Sequence, residues 1–181
     1  YHLGRSWVSL KIAHTQNRIV ASSQGRPLKI TGTVADHWTQ TQRSKHDACL
    51  TSAATIRSDN PRFSARYRCQ TFQKPLFVIS RNAHIPKNSI CLKTPEKLTV
   101  FYAQSAPKTN LSILLSLGIK CVEVTAPFDS SYWKKVFEYI HAAGHQSIWC
   151  ELGPTATVSC LKSEQVNRFY QLISPDQSAS G

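Results

Sequence analysis

The 181-residue chain is long enough to bury a sizeable core, and its 41% hydrophobic and 18% charged residues are ordinary for a globular domain. No apolar run approaches the roughly 18 residues that a membrane-spanning helix needs, which argues against an integral membrane protein. With 22 Lys and Arg against 10 Asp and Glu the net charge is +12, so anionic partners are expected. Charge alone does not choose between nucleic acid, a phosphorylated metabolite and a dinucleotide.

Apolar strand-like runs alternate with helical patterns along the chain, which indicates an α/β fold. In chain order the predicted elements are strand 7–13, helix 33–45, strand 47–51, a brief helix to about residue 58, strands 76–79 and 98–102, helix 111–117, strand 119–124, helix 129–143, strand 147–151, helix 153–161 and strand 168–173. Gly118 and Gly144 follow two of the helices, as expected for C-terminal glycines. A basic loop is predicted over 66–74 and a disordered tail over 176–181. Because no internal repeat is present, residues 1–175 are predicted to form one domain.

The six cysteines are scattered and form no CxxC pair. Cys49, Cys121 and Cys150 lie in apolar, strand-like stretches, where a free cysteine behaves as a small hydrophobic residue. Buried thiols in a reducing cytoplasm are therefore favoured over disulfides or a metal site.

The segment 151–155 is the most informative part of the sequence. A buried strand ends at Glu151, Gly153 permits a tight turn, and Pro154 suits the first turn of a helix, where its missing N–H costs nothing. Ligands of open α/β sheets bind outside the carboxyl ends of strands, and a helix start attracts phosphate. The segment therefore suits a pyrophosphate, with Glu151 available to fix a polar substrate edge. A plain strand–turn–helix explains the same residues equally well.

A second strand–turn–helix follows the same logic over 49–55. Ser52 and Thr55 offer hydroxyl groups there, although Thr55 is as easily explained as a helix cap. From its local sequence Asp59 is more readily a turn residue than a site acid. Arg43 and Arg66 are each able to hold a phosphate through two hydrogen bonds, although a lone arginine is usually a solvated surface group.

Several familiar site patterns are missing from the sequence. His141 and His145 are four residues apart, but Gly144 interrupts the helix between them and there is no HExxH, so a metal site is not expected. No GxSxG, P-loop or GxGxxG occurs, and neither does the HxE with PCxxC signature of zinc deaminases.

Six stretches form an ordered set that spans roughly residues 5 to 175, namely 8–13, 30–32, 43–48, 50–66, 147–155 and 169–175. The fourth contains Asp59-Asn60-Pro61-Arg62. In this order and at these spacings, the set resembles the reductase domain of the bifunctional riboflavin-biosynthesis deaminase/reductase. Each motif alone is weak, whereas the ordered set is fairly specific.

The resemblance implies an α/β fold of dihydrofolate-reductase type, with a mixed, mostly parallel sheet flanked by helices, and a homodimer. It also implies NADPH as the cofactor and a phosphorylated ribosylamino-pyrimidine as the substrate. The implied reaction reduces 5-amino-6-(5-phosphoribosylamino)uracil to its ribitylamino form, with hydride from NADPH. Hydride transfer belongs to the cofactor, which accounts for the lack of a nucleophile or metal motif.

By position, the resemblance places Arg43, Arg66 and Glu151 at the substrate, with the arginines toward its phosphate, and assigns Asp59 and Glu151 to catalysis. The implied cofactor positions are Ala13, Lys29, Thr55, Asp59, Ser80 or Arg81, and the run 153–159 with Gly153, Pro154 and Thr155 at its start.

The chain departs from the family pattern at two places. Asn17-Arg18 stands where the family has Asp-Gly, and Pro27-Leu28-Lys29 stands where it often has Ser-x-Trp. A lysine at 29 is able to pair with a cofactor phosphate but cannot stack as tryptophan does.

Three hypotheses follow: this reductase, a reductase-fold protein with another substrate, or a non-catalytic basic binding module. The first is favoured, with a cytoplasmic location and without a nucleic-acid or membrane partner. It requires the segments 151–155 and 51–59 to converge on one cleft.

Overall fold

The computed structural model describes residues 4–15, 32–67 and 70–174. Its helices are α1 (Thr33–Lys45), α2 (Ala53–Asp59), α3 (Lys108–Ser116), α4 (Ser130–Ala142) and α5 (Pro154–Lys162). Its strands are β1 (Trp7–Thr15), β2 (Ala48–Ser52), β3 (Ser64–Tyr67), β4 (Gln70–Gln73), β5 (Leu76–Ile79), β6 (Leu98–Tyr102), β7 (Lys120–Glu123), β8 (Ser147–Glu151) and β9 (Arg168–Ser174). Two 3₁₀ turns, Ile90–Lys93 and Pro95–Lys97, precede β6. Every predicted helix and strand is present, whereas the tail 176–181 lies outside the described residues.

Seven of the strands form one sheet in the order β7-β6-β5-β2-β8-β1-β9. Every pair in this sheet is parallel, and antiparallel pairing occurs only between β3 and β4 among the strands described. A parallel sheet is covered on both faces, so its central strands are apolar along their length. All five residues of β2 are buried, in agreement with the continuous apolar run that predicted the strand.

Helices pack on both faces of the sheet and enclose two apolar layers. One layer contains the inner side of α4, with Trp133, Phe137 and Ile140, together with residues of α5. The other contains Ile56 of α2 and Leu114 of α3, and Trp38 of α1 packs against it. The predicted α/β fold, with a mostly parallel sheet flanked by helices, is confirmed.

The basic loop predicted over 66–74 is wrong in part, because this stretch contributes to a hairpin. β3 and β4 pair antiparallel, with Arg66 opposite Thr71, and β3 packs against α1. The strand residues are mostly polar and half-exposed, so they lack the apolar alternation that marks a strand in a sequence.

The helix boundaries follow local chemistry. Asp129 caps α4 by accepting a hydrogen bond from the Ser131 N–H at 2.8 Å. Gly118 and Gly144 follow α3 and α4 at φ +73° and +93°, in the left-handed region where glycine has no Cβ penalty. Asn60 ends α2 in the same region. Among the helices described, none combines the length and apolar character that crossing a bilayer requires.

The cysteines in the described residues are free thiols, and all but Cys121 are buried. Burial raises the pKa of Cys49 to about 12 and also raises the pKa of Cys150, so both stay protonated as small apolar groups. Cys69 lies outside the described residues.

Candidate functional site

The carboxyl ends of the parallel strands lie along one edge of the sheet. β2 is central there, with Thr51 in register with Glu151 of β8 on one side and with Val78 of β5 on the other. The turns that leave these three strands are therefore neighbours, although they lie far apart in sequence. This is the edge where α/β proteins bind their ligands.

A cavity of about 500 Å³ opens at this edge. It is lined by Ser52, Ala53, Ala54 and Arg57 around α2, by residues 79–82 after β5, by residues 153–156 at the start of α5, and by Ser105 and Phe128. Its size lies within the range of small-molecule and cofactor sites.

The turn at Gly153 touches the start of α2. The Gly153 N–H donates to Ser52 Oγ at 3.4 Å, and a Cβ at Gly153 would lie 3.5 Å from the same oxygen. Ser52 caps α2 by accepting from the Thr55 N–H at 3.3 Å. The two segments thus converge, as the sequence predicted. No side chain in the described part of the chain caps α5. Pro154 has no N–H and the Thr157 N–H donates to the Gly153 carbonyl, so the N–H groups of Thr155 and Ala156 are the ones available to a phosphate.

Beside this cavity, Arg43 and Glu151 form a bidentate ion pair. Arg43 Nε donates to Glu151 Oε1 at 2.6 Å and Nη2 donates to Oε2 at 3.0 Å. Trp149 Nε1 donates to the same Oε1 at 2.9 Å. The two charged side chains are only 13% and 14% exposed, so the pair is largely desolvated.

Opposing effects set the charge state of this pair. Burial alone raises the pKa of Glu151, but the charge and hydrogen bonds of Arg43, helped by Lys11 and Trp149, outweigh it and hold the pKa below its usual range. Burial lowers the pKa of Arg43, and Glu151 more than restores it. Glu151 is therefore ionised at neutral pH and acts here as a hydrogen-bond acceptor rather than a proton donor.

The hairpin completes the surroundings of Arg43. Nη1 of Arg43 donates to the Ser64 carbonyl at 3.4 Å, and its guanidinium lies 5.2 Å from the centre of the Phe63 ring. Phe63 adopts φ +47°, an uncommon conformation for a bulky residue. Such strain persists only where the surrounding structure holds it, which fits a pre-organised site.

Lys11 is a site residue that the sequence interpretation missed. It is in register with Glu151 across β1 and β8, so the two side chains leave the sheet on the same face. Its only sequence signal was a lysine within an apolar strand. The strand pairing, which the sequence did not reveal, makes it a neighbour of Glu151.

The predicted cofactor residues divide into two groups. Gly153, Pro154, Thr155, Ser80 and Arg81 line the cavity. Three others do not. Ala13 lies near the end of β1, and Thr55 is within hydrogen-bond distance of the Ser52 hydroxyl at 3.0 Å. Asp59 is exposed at the last residue of α2.

The other predicted positions either do not line the cavity or lie outside the described residues. Arg66 is exposed on β3 and does not line the cavity. Lys29, Asn17-Arg18 and Pro27 lie outside the described residues. Arg57, which no motif singled out, lines the cavity one helical turn after Ala53.

Comparison with known proteins identifies the family. The sequence profile of the RibD C-terminal domain matches residues 6–176. The chain belongs to this family. Among its members, "Riboflavin biosynthesis protein PYRR, chloroplastic" of Arabidopsis thaliana is 28% identical over 167 residues, which are 92% of this chain and 27% of that protein. "Riboflavin biosynthesis protein RibD" of Chlamydia pneumoniae is 29% identical over 173 residues, 93% of this chain and 46% of that protein. The chain thus spans less than half of either relative.

Solved structures share the fold of this RibD C-terminal domain. RibD of Acinetobacter baumannii superposes with a TM-score of 0.81 at 19% identity, over 97% of this chain and 48% of that one. The Saccharomyces cerevisiae riboflavin biosynthesis reductase Rib7 gives a TM-score of 0.73 at 18% identity, over 99% of this chain and 78% of that one.

Proposed function

We propose that this domain is an NADPH-dependent reductase of riboflavin biosynthesis that converts 5-amino-6-(5-phosphoribosylamino)uracil to its ribitylamino form. Membership of the RibD C-terminal domain family supports the proposal. So does a solved relative from Thermotoga maritima, which is named as a deaminase joined to a 5-amino-6-(5-phosphoribosylamino)uracil reductase. The structural observation that carries the proposal is the cavity between α2, β5 and α5, next to the Arg43–Glu151 pair.

The cavity fits a nicotinamide dinucleotide, which when bound would supply the hydride. Gly153 has no side chain to obstruct a pyrophosphate, and the uncapped first turn of α5 offers N–H donors to it. Ile79, Phe128 and Pro154 provide apolar walls. These residues bind and orient, which is the contribution expected of the protein in hydride transfer.

The substrate is proposed to lie on the Glu151 side of the edge. Oε2 of Glu151 accepts one bond, from Arg43 Nη2, and so keeps a lone pair for a pyrimidine N–H. Arg43 is largely committed to Glu151 and Ser64, so its main role is to hold that carboxylate in position. Arg66, exposed on the hairpin, is the freer cation for the substrate phosphate.

Reduction adds a hydride to C1′ of the sugar and requires one proton as the ring oxygen becomes a hydroxyl. Glu151 is ionised and cannot provide that proton. Of the two cations beside it, Arg43 stays protonated at any accessible pH, whereas the Lys11 ammonium is able to release a proton. Lys11 is therefore the proposed proton source.

Steady-state NADPH oxidation with the ribotide tests this function. Wild-type protein should oxidise NADPH only when the ribotide is present. Arg66→Ala should raise the KM for the ribotide about 10-fold to 100-fold, as loss of a charge-assisted phosphate contact predicts, with the KM for NADPH unchanged. The matched control is Arg168→Ala, an exposed arginine at the first residue of the edge strand β9.

Absence of oxidation together with no thermal stabilisation by millimolar NADPH would refute the reductase. Salt-sensitive nucleic-acid binding in that case would favour the basic binding module. Lys11→Met should lower kcat much more than it raises either KM. An unchanged kcat would exclude Lys11 as the proton source.

A homodimer and a cytoplasmic location remain predictions. Sedimentation equilibrium and fractionation of tagged protein would test them.

A further inference from the structure

A second cavity, of about 100 Å³, lies at the edge of the sheet opposite to the first. Its lining includes Leu76 and Leu98, which are the first residues of β5 and β6 and are in register with each other. The strand β5 has four residues, so its two ends are about 10 Å apart at about 3.3 Å per residue. The second cavity is therefore separate from the edge proposed to bind the cofactor and the substrate.

We propose that this second cavity binds a phosphate group, either free orthophosphate or the phosphate of a larger molecule. The proposal does not depend on the reaction proposed above. Four cationic side chains from four segments of the chain line the cavity, and no Asp or Glu among the described residues does. Arg62 follows α2, Lys74 precedes β5, Lys93 ends the first 3₁₀ turn and Lys97 ends the second.

The charges of these four side chains are not balanced by protein carboxylates. Within the described ranges, none of the four takes part in a salt bridge. Glu96 precedes Lys97 in the sequence but does not line the cavity. Like charges around one small cavity repel one another, and a single anion between them relieves that repulsion. Both guanidinium and ammonium groups are common partners of phosphate oxygens.

Hydrogen bonds hold the walls of the cavity together. The Asn60 side chain donates to the Asn88 carbonyl at 3.3 Å and accepts from the Ile90 N–H at 2.8 Å, which joins the segment after α2 to the first 3₁₀ turn. Lys97 Nζ donates to the carbonyl of Gln73, the last residue of β4, at 3.3 Å. An ammonium group has three donors, so two remain for a ligand. A frame fixed in this way lowers the cost of ordering the cations around an anion.

The size and the floor of the cavity favour a small oxyanion. The floor is apolar, because Phe63, Leu76, Cys91 and Leu98 line the cavity and none is more than 6% exposed. Next to such a floor the attraction between opposite charges is stronger than in bulk water. Cofactor and drug-sized ligands occupy about 300–1,000 Å³, and one water molecule takes about 30 Å³. The cavity therefore has room for one tetrahedral oxyanion and is too small for a nucleotide.

Isothermal titration calorimetry with orthophosphate, at an ionic strength held constant with sodium chloride, tests the site. Wild-type protein should bind one equivalent with a Kd of about 1 mM or lower. Arg62→Gln/Lys93→Gln removes two exposed cations of the lining and should raise the Kd at least about 10-fold, through the loss of two charge-assisted contacts. Arg66→Ala should bind orthophosphate as wild type does, because Arg66 does not line this cavity.

Lys108→Gln/Lys162→Gln is the matched control, because it removes the same charge from two exposed positions that line neither cavity. It should keep the wild-type Kd. No binding of orthophosphate by wild type overturns the proposal, and so does an equal rise of Kd in the two double variants, which would show attraction to the net charge alone. A Kd unchanged in Arg62→Gln/Lys93→Gln overturns it as well, since the ion would then lie elsewhere.

A parallel titration with glycerol 3-phosphate distinguishes the two sources of the phosphate group. Tighter binding of orthophosphate identifies the free ion as the ligand, and tighter binding of the ester identifies the phosphate of a larger molecule. Either result supports the site, provided that the tighter ligand is weakened in Arg62→Gln/Lys93→Gln. These titrations contain neither NADPH nor the ribotide, so a failure of the proposed reaction would leave their outcome unaffected.

Discussion

Replacing Glu151 by glutamine should destabilise the domain substantially, because it leaves the Arg43 charge largely buried and unpaired. Glutamine has one carbonyl oxygen. Placed at the Oε1 position, that oxygen still accepts from Arg43 Nε and Trp149 Nε1, but its amide group then faces Arg43 Nη2, donor against donor. One charge-assisted bond is lost, and the two that remain become bonds to a neutral acceptor.

The expected loss of unfolding free energy follows from the three hydrogen bonds that Glu151 accepts from Arg43 and Trp149. A hydrogen bond to a charged group contributes about 1.5–3 kcal/mol, roughly twice a neutral one. Breaking a buried pair typically costs about 3–5 kcal/mol. Because both side chains keep some solvent contact, at 13% and 14%, we expect about 3 kcal/mol, near the lower end. For a domain of this size that corresponds to a fall in Tm of about 6–12 °C.

Urea unfolding at pH 7 measures this quantity, with Lys134→Gln as the control. Lys134 and Glu138 form an exposed pair at 3.9 Å, with 66% and 50% of their side chains accessible, so the control should stay within about 0.5 kcal/mol of wild type. The double variant Arg43→Met/Glu151→Gln should be little worse than Glu151→Gln, since the unpaired charge is gone. Two results would show that Arg43 and Glu151 are not coupled as the geometry requires. One is a loss of unfolding free energy in Glu151→Gln no greater than that of the control. The other is a loss in the double variant equal to the sum of the losses in the two single variants.

Three further outcomes follow from the structure. Burial lowers the pKa of His46, so the stability that it contributes is present above its unfolded pKa of about 6.5 and is lost as pH falls through the lower folded pKa. In urea unfolding at several pH values, His46→Asn should therefore make the free energy of unfolding depend less steeply on pH below about 6.5, and an unchanged slope would contradict this. Gly153→Ala should leave Tm within about 2 °C of wild type, because the added Cβ would make an ordinary contact with Ser52. Gly153→Val should lower the free energy of unfolding by about 1–3 kcal/mol, because the larger side chain overpacks the turn. Equal Tm values for the two variants would argue against the close approach of this turn to Ser52. Cys49 and Cys150 should not react with a thiol reagent at about pH 8 until denaturant is added, because burial keeps both thiols protonated and inaccessible to the reagent. Mass-spectrometric mapping that finds either cysteine labelled in the native protein would refute their burial.

Much of the fold could be predicted from the sequence, because the helices and strands depend on local sequence patterns. The ends of β5, β6 and β8 were predicted to the residue, since each is a short apolar run in a sheet buried on both faces. The hairpin of β3 and β4 was not found. Its polar strands are stabilised by pairing with each other and by packing of β3 against α1. These contacts do not require an alternation of apolar and polar residues, so the sequence shows no strand pattern there.

The candidate site shows the same division. Gly153, Pro154 and Thr155 were predicted from the sequence of one turn, and they line the cavity. Asp59 was placed at the cofactor by resemblance, but α2 carries it to an exposed position outside the cavity lining. Local sequence had already favoured a turn role for this residue.

By itself, the sequence determined the order of the elements, the buried strands and the strand–turn–helix at Gly153, because propensity, periodicity and capping act over a few residues. Only the tertiary structure decided which charges meet. Arg43 and Glu151 are 108 residues apart, and Lys11 is further still from Glu151. Strand order and register depend on the packing of the whole sheet, and they bring Arg43, Lys11 and Glu151 together. They also leave Arg57 and Arg81 on the neighbouring cavity, where neither has a salt-bridge partner among the described side chains.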